Sequence, residues 1–570
     1  MAASDQDARP KRCLANAPAG LQIQTHADKG RALHATRSFL ANERLHAFEG
    51  TVVVPAQPKL SLVCAYCLAS SSGALHACTA CRAAYYCDKR CQAAGWQSGH
   101  SLECKALRAP RGDKLPTAVR ALVLLLLRER RQACSGLQQL EGHVGARRSN
   151  ETRWRDLSLM AAAACSFAAV DTHPAGLQHA VELLCKIETN ALDCYDADLG
   201  GPIGLFLDPM LAMANHSCLP NAMVHFIGRK AVLVAQRPIA AGQEIEISYT
   251  DYTQPLSKRQ EALVPYCFQC CCRRCQGDLN VYQVCADFAL PAPSGRSLLV
   301  HSAQVRSLGA LQHVAIQRLA RDCGEAATRL ADSRTMAHGL NERRQALAAL
   351  YHDCKELVAA GLWAVSPLPQ VLSDMVMWYT DSGHYASALA VACLIATACD
   401  AYRFTAYFDP VRVRNLLVVA KLLANTAQTT AELANAATAV PRRAGAQQTV
   451  LHKLQDIDQV SLCQMLLTMA LESAPAGDAA GWRPTAEARQ MLGEIKQLPG
   501  RQREMSFILA WAQSPANDEC KAFFDYAVVK QVATLASLAP DVLRATFVPG
   551  DGQDGGQDGG QDGGQDGATQ

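Results

Sequence analysis

The chain has 570 residues, 49% of them hydrophobic and 19% charged, with a formal net charge of +3. This balance excludes wholesale disorder and leaves no broad basic field for holding nucleic acid. The length suits about three or four domains of ~150 residues each. The longest purely apolar run, Ala388 to Ala396, is nine residues, against about 20 for a bilayer-spanning helix, so no membrane association is expected. The opening MAASDQDARPKRC lacks the apolar stretch of a secretory leader. A reducing compartment, cytoplasmic and nuclear, is the expectation. Residues 1–19 read as a flexible N-terminus and 20–63 as the first part of a folded domain.

Of 25 cysteines, twelve fall in two tight groups. In a reducing compartment they are not expected to pair as disulfides. Scattered ones such as Cys134, Cys165, Cys323, Cys393 and Cys463 read as small buried apolar residues. The first group is Cys64-x2-Cys67, Cys78-x2-Cys81, Cys87-x3-Cys91 and His100-x3-Cys104. These eight residues make two closed tetrahedral zinc sites, with no position left for a catalytic water. A segment of about 40 residues cannot bury enough surface to fold unaided, and zinc supplies the missing folding energy. With Tyr86 before Cys87 and Trp96 after Cys91, residues 64–104 resemble a MYND finger. The order of ligands leaves the pairing open. The resemblance implies interleaving, with Cys64, Cys67, Cys87 and Cys91 on one zinc and Cys78, Cys81, His100 and Cys104 on the other. It also implies a protein-interaction module that can take a proline-containing peptide.

Residues 105–200 read as helical, with elements expected over Ala118–Arg131 and Leu157–Ala169. Short β-type runs follow at Ala222–Phe226 and Ala231–Ala235, joined by a turn at Gly228-Arg229-Lys230. Pro238 and Gly242 mark another turn, and Ile245–Tyr249 alternates like a half-buried strand. The second cysteine group, Cys270-Cys271-Cys272-x2-Cys275, has three ligands at C-x-C-x2-C spacing and needs a fourth. Cys218 is the best candidate, and spacing does not exclude Cys267 or Cys271. From about 280 to 545 the pattern is helical. Val371–Ala396 reads as one tetratricopeptide-like hairpin with Gly383 at its turn, and Ala474–Asp478 and Gly481–Pro484 as a loop between helices. The Asp-Gly-Gly-Gln repeats of 549–570 have almost nothing apolar to bury and are expected to be disordered.

Asn215-His-Ser-Cys-x-Pro-Asn221, then Gly242-x-Glu-Ile-x-Ile-Ser-Tyr249-x-x-Tyr252, resembles the SET-domain signature, and the trailing Cys-x-Cys-x2-Cys its post-SET element. Lys29-Gly30-Arg31-Ala32-Leu33 resembles the opening cofactor motif. A SET domain split by a MYND finger and followed by helices is similar to the arrangement of the SMYD lysine methyltransferases. The match covers roughly 20–277 and extends more weakly through Asp409–Leu422.

The resemblance implies an α+β fold: an irregular β-rich SET domain (20–63 and 201–253) split by the finger and a helical insertion (105–200). A post-SET zinc element (254–277) and an all-α, TPR-like helical-hairpin domain (278–548) follow. It implies methyl transfer from S-adenosylmethionine to a lysine of a histone or non-histone protein, with three structural zincs. Tyr249 would sit beside the reacting groups. Lys29, Gly30, Arg31, Asn190, Asn215, His216, Tyr249 and Phe268 would contact the cofactor, and Tyr266 would wall the lysine channel. Cys218, Cys270, Cys272 and Cys275 would hold the third zinc.

Other readings stand beside these. Asn190 also suits a loop cap, Lys29 and Arg31 suit solvated charges, and His26, His34 and His46 carry no motif and are expected at the surface. Relatives carry glycine where this chain has Ala32. If φ there is positive, alanine costs on the order of 1 kcal/mol, which keeps a catalytically weak SET/MYND interaction scaffold as the competing class. Direct nucleic-acid binding through the finger fits poorly, because groove-reading spacing is missing. A monomer is expected.

Overall fold

The computed structural model describes residues 17–548 apart from 27–28, 71–72, 109–114, 132–135, 171–172, 196–200, 289–294, 299–312, 324–338, 427–453, 455–456 and 475–480. Cys134, much of the 474–484 loop and the 549–570 tail therefore lie outside the described residues.

The strands in chain order are β1 (Leu21–His26), β2 (Gly30–Ala35), β3 (Arg44–Phe48), β4 (Val52–Pro55), β5 (His76–Ala77), β6 (Tyr85–Tyr86), β7 (Leu192–Tyr195), β8 (Pro202–Leu207), β9 (Asn215–His216), β10 (Ala222–Ile227), β11 (Lys230–Ala235) and β12 (Glu246–Ile247). They form small sheets of two or three strands: β1-β2, β10-β11-β3, β4-β8-β7, the finger hairpin β5-β6, and β9-β12. β10 and β11 are antiparallel in the register Ala222↔Ala235 to Ile227↔Lys230, with Gly228 at φ +57° in the turn as expected. The alternating run Ile245–Tyr249 forms a ladder only at Glu246–Ile247, parallel to Asn215–His216.

The expected helices at 118–131 and 157–169 are present as α3 (Thr117–Glu129) and part of α5 (Glu151–Ala168). The side chain of Asn150 caps α5 by accepting from the Arg153 N–H. Residues 119–126 of α3 are all buried, because the helix packs against α5, α6 (Pro174–Asn190), the finger helix α2 (Ser101–Leu107) and β4. The helical reading of 105–200 needs one correction. Leu192–Tyr195 is a strand, with Cys194 buried and Asp193 and Tyr195 outward. Four alternating residues behind a long helix are too few to register as a separate period.

The C-terminal half packs as antiparallel helices around one apolar core. Leu368–Asp381 and Tyr385–Leu394 form the expected hairpin, and Gly383 turns it at φ +78°. Helix Tyr385–Arg403 meets the length and apolarity of a membrane span, with mean hydropathy 1.5. Its short purely apolar run hid this from the sequence. Since 78% of it is buried inside the fold, core packing accounts for its composition. Arg483 and Pro484 open the helix Arg483–Lys496, so the predicted loop ends earlier than read.

The finger docks on α3 through buried charges. Arg120 donates to both carboxylate oxygens of Glu103, Nη2 to Oε1 at 2.6 Å and Nε to Oε2 at 3.1 Å. Both side chains are nearly fully buried, so removing one partner leaves an uncompensated charge. Arg120→Met is expected to cost about 3–5 kcal/mol in chemical denaturation and to raise amide exchange over 100–107.

Candidate functional site

Three groups of four ligand atoms converge, each within 4.8 Å: Cys64, Cys67, Cys87 and Cys91; Cys78, Cys81, His100 and Cys104; and Cys218, Cys270, Cys272 and Cys275. The finger groups interleave. Cys267 and Cys271 are exposed and stand outside the third group. Four thiolates on a tetrahedral zinc lie about 3.7–3.8 Å apart. Here Cys67–Cys87 is 3.7 Å, Cys78–Cys104 3.9 Å, Cys218–Cys275 3.5 Å and Cys218–Cys270 4.0 Å. The donor sets and spacings fit zinc in closed, structural sites. Cys165, Cys323, Cys393 and Cys463 are buried, and every described cysteine is free.

Outer contacts orient these ligands. His100 turns Nε2 toward Cys81 at 3.5 Å and Nδ1 toward Glu103 at 3.2 Å. Arg259, 1% exposed, sets Nη2 3.6 Å from the Cys275 sulfur. Spacing arguments found the ligands and missed these partners. Glu103, between His100 and Cys104, was the available signal.

The third cluster leads directly to Tyr249. His216 sets Nε2 3.3 Å from the Cys218 sulfur, and its Nδ1 accepts the Tyr249 backbone N–H at 3.0 Å. Burial lowers the His216 pKa to about 4, so the ring is neutral near pH 7. The Tyr249 bond then assigns the proton to Nε2, which donates to sulfur. The Tyr249 hydroxyl donates to the Ala214 carbonyl at 2.7 Å. Burial pushes its phenol above the usual range, with Tyr266 adding to the effect. The Tyr266 ring lies 4.9 Å from that of Tyr249, and Phe268, 40% exposed, lies 5.8 Å from His216.

The Lys29–Arg31 segment joins the same place. Asn215 Nδ2 donates to the Arg31 carbonyl at 3.3 Å and to Glu244 Oε1 at 2.9 Å. Glu244 Oε2 accepts from Lys29 Nζ at 2.9 Å, and Glu246 Oε1 is 3.7 Å from that ammonium. Lys29 is thus drawn onto two carboxylates, as a strap across β2 and β12. Glu244 was unassigned in the sequence, although it sits inside the quoted motif. Gly30 has φ +71°, and a Cβ there would meet nothing within 4 Å. Ala32 lies in strand β2 opposite Gln24, fully buried and without positive φ. The strain expected from that departure does not arise.

Asn190 ends α6 and donates Nδ2 to the carbonyls of Glu141 at 2.7 Å and Lys186 at 2.8 Å. This ties down the loop whose Glu141 lies within electrostatic reach of Arg31. His34 is another correction. It is 5% exposed, its Nε2 lies 2.9 Å from His26 Nε2, and its Nδ1 lies 3.0 Å from the Gly242 carbonyl. His26 and His46 are half-buried. Pairing across β1-β2 puts His34 on the inward face.

Residues 30–250 match the SET domain. The finger precedes the SET motifs, with its ligands converged as above. The chain is similar to SET- and MYND-domain proteins of the SMYD type. It is 36% identical over 204 residues to "SET domain and MYND-type zinc finger protein 6" of Schizosaccharomyces pombe, covering 35% of this chain and 41% of that protein. It is 30% identical over 267 residues to N-lysine methyltransferase SMYD2-A of Xenopus laevis, covering 45% and 61%. Against histone-lysine N-methyltransferase SMYD3 of Mus musculus it is 28% identical over 263 residues, covering 44% and 60%. The chain therefore spans 41–61% of the length of these three relatives. Chelating zinc is expected to raise amide exchange over both 64–104 and 267–275. Unchanged exchange in both would show that the clusters hold no structural metal.

Proposed function

We propose that this chain is a SMYD-type protein-lysine N-methyltransferase that uses S-adenosylmethionine. The observation carrying this reading is the convergence on one imidazole. Tyr249, strand β9 at His216 with the adjoining Ala214, and the zinc-ligating Cys218 are tied together by bonds of 2.7–3.3 Å. The residues suit the cofactor. Gly30 offers an open backbone cradle, Arg31 a cation for a carboxylate, and Phe268 an exposed aromatic face for the adenine. When bound, S-adenosylmethionine supplies an electrophilic methyl on a sulfonium. Asn215, His216 and the Lys29–Arg31 segment would hold it, and Asn190 would support the segment beside Arg31.

The chain's own task is to present a neutral amine. A free lysine has a pKa of about 10.4, so deprotonation at pH 7 costs roughly 4–5 kcal/mol. Aromatic walls at Tyr249 and Tyr266 disfavour the ammonium by desolvation. The Tyr249 phenol stays protonated at neutral pH and is fixed by its bond to Ala214. It therefore orients the amine through its oxygen and does not act as a base. In-line placement supplies much of the remaining acceleration.

Histone and non-histone lysines both fit this chemistry, with the finger as a docking module for a proline-containing peptide. Ala32, without positive φ in its strand, carries no strain argument for the competing scaffold reading, whose other ground, crowding of the cofactor by the Ala32 methyl, is what cofactor binding by calorimetry tests. A reducing location, cytoplasmic and nuclear, is proposed with this reading, since reduced thiols are what the zinc sites need. Labelled cofactor on a peptide array is expected to mark lysine peptides. Tyr249→Phe is expected to lower transfer by about 10²-fold or more, with zinc content and thermal unfolding unchanged. Retained turnover in that variant would remove Tyr249 from the reaction.

A further inference from the structure

The segment following Tyr249 is held from two sides. Its carbonyls are held by the post-SET element. Arg274 Nη1 donates to the Tyr252 carbonyl, and Arg259 Nη1 donates to the Gln254 carbonyl at 2.6 Å while its Nη2 faces Cys275. Its side chains are held by the helical domain, at three successive residues. The Tyr252 hydroxyl donates to Asp409 Oδ2 at 3.0 Å and accepts from Gln236 Nε2 at 3.1 Å. Arg403 Nη2 donates to Thr253 Oγ1 at 2.9 Å. Ser366 Oγ donates to Gln254 Oε1 at 2.8 Å. These partners come from three places more than a hundred residues downstream, and Asp409 and Thr253 are only 5% and 4% exposed.

Asp409 is committed at both oxygens, since Oδ1 also accepts the Val411 N–H at the start of helix Pro410–Thr426. Its position is therefore set by the helical domain, and Tyr252 takes its position from Asp409. Tyr252 is three residues from Tyr249, whose own backbone N–H is aimed at His216. A shift of the segment would move the phenol relative to strand β9 at Asn215–His216.

We infer that Asp409, acting through the Tyr252 hydroxyl, is a positioning residue for Tyr249, and that the helical domain thereby sets the geometry of the transfer site. The activity part of this inference rests on the methyltransferase reading; the structural part does not.

The test uses the full zinc-loaded chain and three variants: Tyr252→Phe, Asp409→Ala and the double variant. Amide exchange over 248–254 is expected to rise about tenfold in each, reporting local opening. S-adenosylmethionine affinity by calorimetry is expected to stay within about twofold, because Lys29–Arg31 and Asn215 are untouched. On a peptide that the wild type methylates, kcat is expected to fall about tenfold in Tyr252→Phe with the cofactor KM unchanged. The double variant should lose far less kcat than the product of the two single losses, because the Tyr252–Asp409 bond is common to both changes. Unchanged exchange over 248–254, losses in kcat that multiply, or an unchanged kcat in Tyr252→Phe would each overturn the inference. Should the wild type bind cofactor and transfer no methyl to any lysine peptide, the methyltransferase reading fails. The exchange measurement alone then decides whether Asp409 holds the segment.

Discussion

One neutral imidazole joins the third cysteine cluster to Tyr249. His216 offers a single donor and a single acceptor, directed at the Cys218 sulfur and the Tyr249 N–H. A charged ring would have two donors and no acceptor, and the Tyr249 bond would be lost. Burial keeps the ring neutral. The local ladder is too weak to do this alone, since β9 and β12 pair over two residues each, far below a self-sufficient sheet. Buried side chains complete it. Asn221, 1% exposed, donates to the Glu244 carbonyl and accepts the Glu246 N–H, both at 2.8 Å.

The electrostatics of the zinc sites explain an otherwise costly pattern of buried arginines. Four thiolates around a divalent zinc carry a net charge of −2. Arg259 and Arg274 are 1% and 2% exposed beside the third cluster. A guanidinium at that depth is expensive without a nearby anion and donor partners. These two have the thiolate cluster together with the carbonyls of Tyr252, Gln254 and Leu279. The same logic pairs Arg120 with Glu103 behind His100 in the finger.

Legibility in the sequence followed the range of each signal. Metal ligands come in close pairs, so the finger and the Cys-x-Cys-x2-Cys segment were readable by spacing, whereas Cys218, 52 residues before Cys270, was only the best candidate for a fourth ligand while spacing left Cys267 and Cys271 open. The β10–β11 hairpin and the turn at Gly383 were readable because turn chemistry is local. The strand Leu192–Tyr195 was hidden behind α6, and His34 was misplaced because its burial depends on pairing across β1-β2 and on the carbonyl of Gly242, 208 residues away. Glu244, Arg259 and Asp409 were missed for the same reason: each acts on a partner supplied by another element, and no single window of sequence contains both.

That distribution follows from the architecture of the SET core. Its strands fall into sheets of two or three, which cannot fix side chains to the tolerance that group transfer demands. Rigidity has to be imported. The zinc cluster supplies it through Arg259 and His216. The helical insertion supplies it through Arg147, which binds Glu188 at 2.6 Å and donates to the Pro265 carbonyl at 3.3 Å, immediately before Tyr266. The helical domain supplies it at residues 252–254. Each module reaches a different stretch of the segments that carry Tyr249, Tyr266 and Phe268, so the arrangement of this aromatic cluster is a joint property of parts far apart in the chain. A site built this way can tolerate Ala32 in place of glycine, because that position sits inside a regular strand. It is far less tolerant at the junctions, where one side chain transmits the position of a whole module.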